Sequence, residues 1–297
     1  MNLYTPSTIR DIQKRYDFRF SKSLGQNFIT DMHVIDSILE GAGIGEEDLV
    51  IEIGPGIGVL TAAAAEAAAK VVAIEIDSKL MPILEETLRG FDNIEIINRD
   101  VLKTDLNEII EEQREKNAFT GAVRIIGNLP YYITTPIIMQ IFENGTKADS
   151  VTVMMQKEVV DRISSGPGTR EYGAISVAAG YYCQVEKILA VPKEVFLPQP
   201  KVDSAVLHFI IRKEKPVELI SENVFFTCIK AGFGKRRKTL LNAMTGACGM
   251  AKDEVKTVLQ EAGIEPSRRA ETLRIDEFAS IANTVAEYIG DRGYHEE

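Results

Sequence analysis

Leu49-Val50-Ile51-Glu52-Ile53 runs directly into Gly54-Pro55-Gly56-Ile57-Gly58, and this junction decides the fold. A five-residue apolar run is a buried strand, the glycines after it make a tight turn, and Val59 to Ala69 continues as a helix-forming stretch. The alternation continues outward. Val71 to Ile76, Ile94 to Ile97, Val123 to Ile126 and Val151 to Met155 read as further strands. Lys79 to Leu88, Leu106 to Lys116 and Pro136 to Glu143 read as the helices between them, the last with Thr135 as N-cap and Pro136 at its first position. Alternating strand and helix gives a doubly wound, mostly parallel α/β sheet. Gln184 to Val191 and Ala205 to Ile211 add two more strands, bringing the sheet to seven.

After Lys213-Glu214-Lys215-Pro216 the strand pattern stops. Phe225 to Ala231, Lys238 to Ala247, Lys252 to Ala262 and Asp276 to Ile289 read as helices, so the chain is expected to divide at 215/216. The expected parts are a basic N-terminal extension over 1–24, a ligand-binding domain over 25–215 and an all-α domain over 216–297.

The glycine turn also limits the ligand. Open sheets bind at the carboxyl ends of their strands, but a dinucleotide fold needs G-x-G-x-x-G, and the third glycine position here is Val59. A nucleoside carrying no phosphate, such as S-adenosylmethionine, therefore gains over a pyrophosphate. Glu75 ends the second strand, 21 residues beyond Gly54, where a carboxylate can accept from both ribose hydroxyls. NAD enzymes use that position too. Asp100 ends the third strand and can either accept from an adenine amino group or cap a helix at Thr104.

Asn128-Leu129-Pro130-Tyr131 closes the fourth strand. An exocyclic amine on adenine is a poor nucleophile because its lone pair is delocalised into the ring. Asn128 offers a side-chain carbonyl, the rigid turn at Pro130 can aim a backbone carbonyl beside it, and Tyr131 offers a flat face for a flipped base. The same four residues also suit an ordinary strand-end turn.

Composition narrows the class. The 297 residues are 45% hydrophobic and 26% charged, as in a soluble globular protein. No apolar run approaches the ~20 residues that span a bilayer, and the polar N-terminus lacks a signal-peptide core, so no membrane association and a cytoplasmic location are expected. Cys183, Cys228 and Cys248 are widely spaced and His33, His208 and His295 scattered, so no metal site is expected. The net charge of −10 argues against a nonspecific polyanion binder. Basic residues nevertheless cluster: Lys14, Arg15, Arg19 and Lys22, then Lys235, Arg236, Arg237 and Lys238. The second block reads as the start of a helix, where the dipole disfavours cations, and both clusters are therefore assigned to RNA phosphates.

Leu24 to Phe28, Glu52 to Thr61, Val72 to Asp77, Asn128 to Tyr131, Gln156 to Val159, Tyr172-Gly173, Phe196 to Ser204 and Arg236 to Leu240 occur in this order. As an ordered set they resemble the small-subunit ribosomal RNA adenine dimethyltransferases, the kasugamycin-sensitivity family, over nearly the whole chain. The resemblance implies a Rossmann-like class I S-adenosylmethionine-dependent methyltransferase with a helical C-terminal domain. It implies Asn27, Ile29, Gly54, Glu75, Asp100 and Asn128 as cofactor residues. It implies Asn128, Leu129, Pro130 and Tyr131 as catalytic residues, with Phe196 as a second stacking surface. Ile29 stands where the family usually shows Leu. The implied product is a pair of dimethylated adjacent adenines in the 3′-terminal hairpin of 16S RNA, made on pre-30S particles by a monomer. Three alternatives remain: a large-subunit methylase of the macrolide-resistance type, a non-catalytic nucleic-acid-binding relative, and an NAD oxidoreductase, which the missing third glycine opposes.

Overall fold

A computed structural model describes residues 2–18, 20–21, 25–235 and 237–290. The chain divides into two compact units, Met1–Val160 with Val185–Ile211, and Asp161–Gln184 with Arg212–Glu297. The expected division at 215/216 is simpler than this: residues 161–184 belong with the helical tail, and residues 185–211 return to the sheet.

The first unit is built on α1 (Pro6–Arg15), β1 (Phe28–Ile29), α2 (Met32–Ala42), β2 (Leu49–Ile53), α3 (Val59–Ala67) and β3 (Lys70–Glu75). It continues through α4 (Met81–Thr87), β4 (Ile94–Asn98), α5 (Leu106–Glu115), β5 (Val123–Asn128), α6 (Thr134–Glu143) and β6 (Ser150–Gln156). The strands β7 (Cys183–Val191), β8 (Phe196–Leu197) and β9 (Ser204–Ile211) complete it. Seven strands form one sheet in the order β4-β3-β2-β5-β6-β9-β7, with β4 to β6 parallel and β9 antiparallel to β6. Central β2 is buried along its whole length between β3 and β5, which is why it reads as an unbroken apolar run. The exception is Glu52, a buried acid among aliphatic neighbours.

A separate two-stranded ladder pairs β1 with β8, Phe28 opposite Leu197 and Ile29 opposite Phe196. Residues 2–18 are more than an extension. Thr5 caps α1, accepting from Thr8 N at 3.3 Å, and Ile9 and Ile12 are each 1% exposed in a core with Leu80, Ile83 and Leu84.

The second unit carries the end of α7 (Lys157–Ile163), then α8 (Ala174–Tyr182), α9 (Glu222–Gly234), α10 (Leu240–Met244), α11 (Lys252–Glu261) and α12 (Ile275–Gly290). Tyr181, Phe225 and Phe278 are among its fully buried side chains. Among the described residues, no helix is long and apolar enough to cross a membrane.

Two local expectations are corrected. The helix read as beginning at Pro136 with Thr135 as cap begins at Thr134, because the turn after β5 continues directly into it and Thr134 Oγ1 donates to Pro130 O at 2.9 Å. The basic block does not open a helix. Lys235 is the C-cap of thirteen-residue α9, and α10 starts only at Leu240. Cations at a helix C-terminus are favoured by the dipole, so the electrostatic misfit read from the sequence disappears.

Candidate functional site

The carboxyl ends of β2, β3 and β5 open into a cleft of about 930 Å3, walled on one side by residues 25–29. The glycine turn makes the cleft possible. Gly54 and Gly56 both hold left-handed φ, +74° and +62°, and a Cβ on Gly54 would meet nothing within 4 Å. A Cβ on Gly56 would fall 2.6 Å from Phe28 Cε1, so this glycine lets the wall segment lie directly on the turn.

Hydrogen bonds tie the wall to both sides of the cleft. Gln26 Nε2 donates to Asp77 Oδ2 at 2.9 Å, and Asp77 N donates to Glu75 Oε1 at 2.8 Å. Asn27 Nδ2 donates to Gly25 O at 2.9 Å, while Asn27 O accepts from Asn128 Nδ2 at 2.8 Å. That last bond orients the Asn128 amide and leaves Oδ1 as its free acceptor. Pro130 O is already taken by Ile133 N and Thr134 Oγ1, whereas among the described residues nothing donates to Leu129 O. The available backbone carbonyl beside Asn128 is therefore that of Leu129.

Electrostatically the cleft is acidic. Glu52, Glu75 and Asp100 line it against one cation, Arg99, an arrangement that suits a cationic ligand and opposes a pyrophosphate. Burial pushes the Glu75 carboxyl up, while the backbone N–H groups of Asp77 and Gly56 oppose the shift. Glu52 is 1% exposed, and burial pushes its carboxyl up to about 8. The Thr61 hydroxyl eases that shift without reaching a hydrogen-bonding position, and both Glu52 Oε2 and Thr61 Oγ1 are buried without partners. Asp100 lies two residues beyond β4, and its Oδ1 caps a short turn by accepting from Leu102 N at 3.0 Å. Capping leaves its side chain on the cleft wall, so the cap does not exclude a ligand contact at Asp100.

The structure gathers Asn27, Ile29, Gly54, Glu75, Asp100, Asn128 and Pro130 around this cleft. Leu129 is 1% exposed and points into the core. Tyr131 is half-buried, its hydroxyl 2.8 Å from Ser204 Oγ, which fixes the ring against β9. Phe196 departs from expectation. It is 4% exposed, within the cluster of Ile35, Ile38 and Val206, because pairing of β8 with β1 turns it inward. No face of its ring is open for stacking in this arrangement.

The sequence reading missed Glu52, Gln26 and Tyr132, all on the cleft lining. An acid inside an otherwise aliphatic strand was the available signal for Glu52. Tyr132, 56% exposed, was masked by its neighbour Tyr131.

The basic residues are not equivalent. Arg15 is neutralised, with Nε 2.7 Å from Asp11 and Nη1 2.6 Å from Glu86. Lys14, Lys235, Arg237 and Lys238 are exposed, while Arg19, Lys22 and Arg236 lie outside the described residues.

Residues 17–287 match the family model described as ribosomal RNA adenine dimethylase. The chain is 46% identical to ribosomal RNA small subunit methyltransferase A of Clostridioides difficile (strain 630) over 283 residues, 95% of this chain and 96% of that protein. Its fold resembles that of a dimethyladenosine transferase from Plasmodium falciparum, with a TM-score of 0.73 at 23% identity over 90% of this chain and 98% of that one. The 23S rRNA methyltransferase ErmE superposes with a TM-score of 0.65 at 24% identity, over 87% and 99%.

Proposed function

This chain belongs to the ribosomal RNA adenine dimethylase family, and from that premise we propose how its cleft performs the reaction and on what particle. It is an S-adenosylmethionine-dependent methyltransferase that dimethylates adenine in small-subunit ribosomal RNA. The cofactor, when bound, supplies an activated methyl group on a sulfonium.

Glu75 takes the ribose hydroxyls, Asp100 the adenine amine, and the wall from Asn27 to Ile29 closes over the methionine end. Room above Gly54 and the acid-rich lining suit this ligand. Asn128 Oδ1 and Leu129 O accept from the two hydrogens of the target N6 and draw its lone pair out of conjugation. Tyr131 stacks on the flipped base, a contact worth about 1–3 kcal/mol. Methyl transfer then proceeds in line, and the chain's main contributions are alignment and exclusion of water. No general base is required, because the N6 proton is strongly acidified once the methyl arrives and can leave to water or through Asn128.

The observation that carries this reading is the bond from Asn128 Nδ2 to Asn27 O, which aims one acceptor before any substrate arrives. We propose further that the substrate is an assembled pre-30S particle bound by a monomer, since a chain of net charge −10 is poorly suited to naked RNA. Transfer of labelled methyl to 30S particles, 50S particles and free 16S RNA tests both points. Preference for 30S particles is expected. Preference for 50S particles together with macrolide protection sinks the small-subunit assignment, and equal transfer to free RNA sinks the particle requirement.

A further inference from the structure

Glu52 has no evident structural purpose. It interrupts β2, the most buried strand of the sheet, with a carboxyl that is 1% exposed and whose Oε2 has no hydrogen-bond partner. An apolar residue would fill the same strand position without burying an unpaired polar group. Glu52 also lines the cleft, so what it lacks inside the protein a ligand can supply.

Its neighbours explain which form it takes. From α3 it faces the Thr61 hydroxyl, which does not complete a hydrogen bond. From β3 it faces Glu75, a second carboxyl that disfavours another negative charge beside it. Beyond β4 the cleft wall carries Arg99 and Asp100, β5 contributes the neutral amide of Asn128, and the wall segment contributes those of Gln26 and Asn27. Arg99 is exposed and Glu52 is not. At Glu75, backbone N–H groups of Gly56 and Asp77, at 3.4 and 2.8 Å, oppose the upward push of burial, and Glu52 has no such support.

We propose that Glu52 makes cofactor binding proton-linked: neutral in the free protein, it gives its proton to solvent when a cation enters the cleft. The inference rests on the cleft being the S-adenosylmethionine site. That ligand carries a sulfonium, an ammonium and a carboxylate, hence one net positive charge. Placed in a water-poor cleft, the charge favours an ionised carboxylate beside it. Burial pushes the free-protein carboxyl up to about 8, so at pH 7 most of the molecules have a proton to release. The sign is fixed. Binding that expels a proton strengthens as pH rises toward about 8, so Kd falls there by up to about tenfold per pH unit.

Isothermal calorimetry at pH 7 in two buffers of different ionisation enthalpy measures the protons released. Three titrations decide the matter: wild type with S-adenosylmethionine, wild type with neutral 5′-methylthioadenosine, and Glu52→Gln with S-adenosylmethionine. The expected result is release of between about one half and one proton in the first and a much smaller exchange in the other two. Equal release by wild type and Glu52→Gln overturns the proposal, as does equal release with the neutral ligand. The second comparison needs no variant, so a misfolded Glu52→Gln leaves the proposal falsifiable. If neither ligand binds the wild type, the cleft is not the cofactor site. That failure is distinct from binding without proton release.

Discussion

Asn128 holds one hydrogen bond to the wall through Nδ2, and in the proposed reaction its Oδ1 accepts from the substrate amine. Asn128→Ala therefore removes an oriented acceptor, and turnover is expected to fall by about 10²–10³-fold. The lost bond to Asn27 O is a neutral one worth about 0.5–1.5 kcal/mol, so S-adenosylmethionine affinity is expected to drop by no more than about tenfold. Turnover and calorimetric affinity measured on one preparation check both halves, and near-wild-type turnover removes Asn128 from the chemistry. Glu75 is expected to behave oppositely. Glu75→Ala leaves the ribose hydroxyls without their charged acceptor, weakening cofactor binding by about 1.5–3 kcal/mol while 30S binding is unchanged. Residues of this kind were legible in the sequence because their chemistry is local: a glycine turn, an acid at a strand end and an amide at another announce themselves by position. Phe196 was not. Its inward orientation follows from pairing with Ile29, a partner 167 residues away, and single-strand patterning carries no trace of such a pairing.

Among the elements, the glycine turn and the wall segment act as one piece. Gly56→Ala places a methyl 2.6 Å from Phe28 Cε1 and forces an L-residue to φ +62°. The left-handed conformation alone costs about 1–2 kcal/mol, and displacement of Phe28 opens the wall. The expected outcome is a lower urea midpoint together with weakened cofactor binding, and Phe28→Leu in the same chain restores part of the affinity. A variant with wild-type midpoint and affinity would show that the wall does not rest on the turn. Strand and helix order was readable here from apolar runs alone, and the seven strands of the sheet match the seven read from sequence to within about a residue or two at each end. The helices α1, α2, α7 and α8 were not placed, since they lie in stretches where the alternation of strand and helix is broken. The basic block was assigned to the wrong helix end because Lys238 to Ala247 reads as helical while only Leu240–Met244 is helical.

Across the whole molecule, the contrast between paired and unpaired cations predicts where RNA docks. Arg237 and Lys238 follow the C-terminal end of α9, exposed, and we expect their reversal to Glu to weaken 30S binding and flatten its salt dependence by roughly one unit of slope per lost phosphate contact. Arg15→Gln, which removes a guanidinium already satisfied by Asp11 and Glu86, is expected to leave that slope unchanged. Binding measured from 50 to 300 mM salt separates the two, and an unaltered slope in the Arg237 and Lys238 variant places the docking surface elsewhere. The short ladder of β1 with β8 has a consequence in time rather than in space. The partners of Phe28 and Ile29, Leu197 and Phe196, are synthesised some 167–169 residues after them by the numbering of the pairs. At ~5–20 residues per second, the wall segment waits roughly 8–34 s for the strand that pairs with it. During that interval the glycine turn and its neighbouring strands can already be assembled and hold the wall through Gln26, Asn27 and Phe28, while its strand partner is still to come. An enzyme that modifies ribosomal RNA thus completes its own cleft only late in its passage through a ribosome.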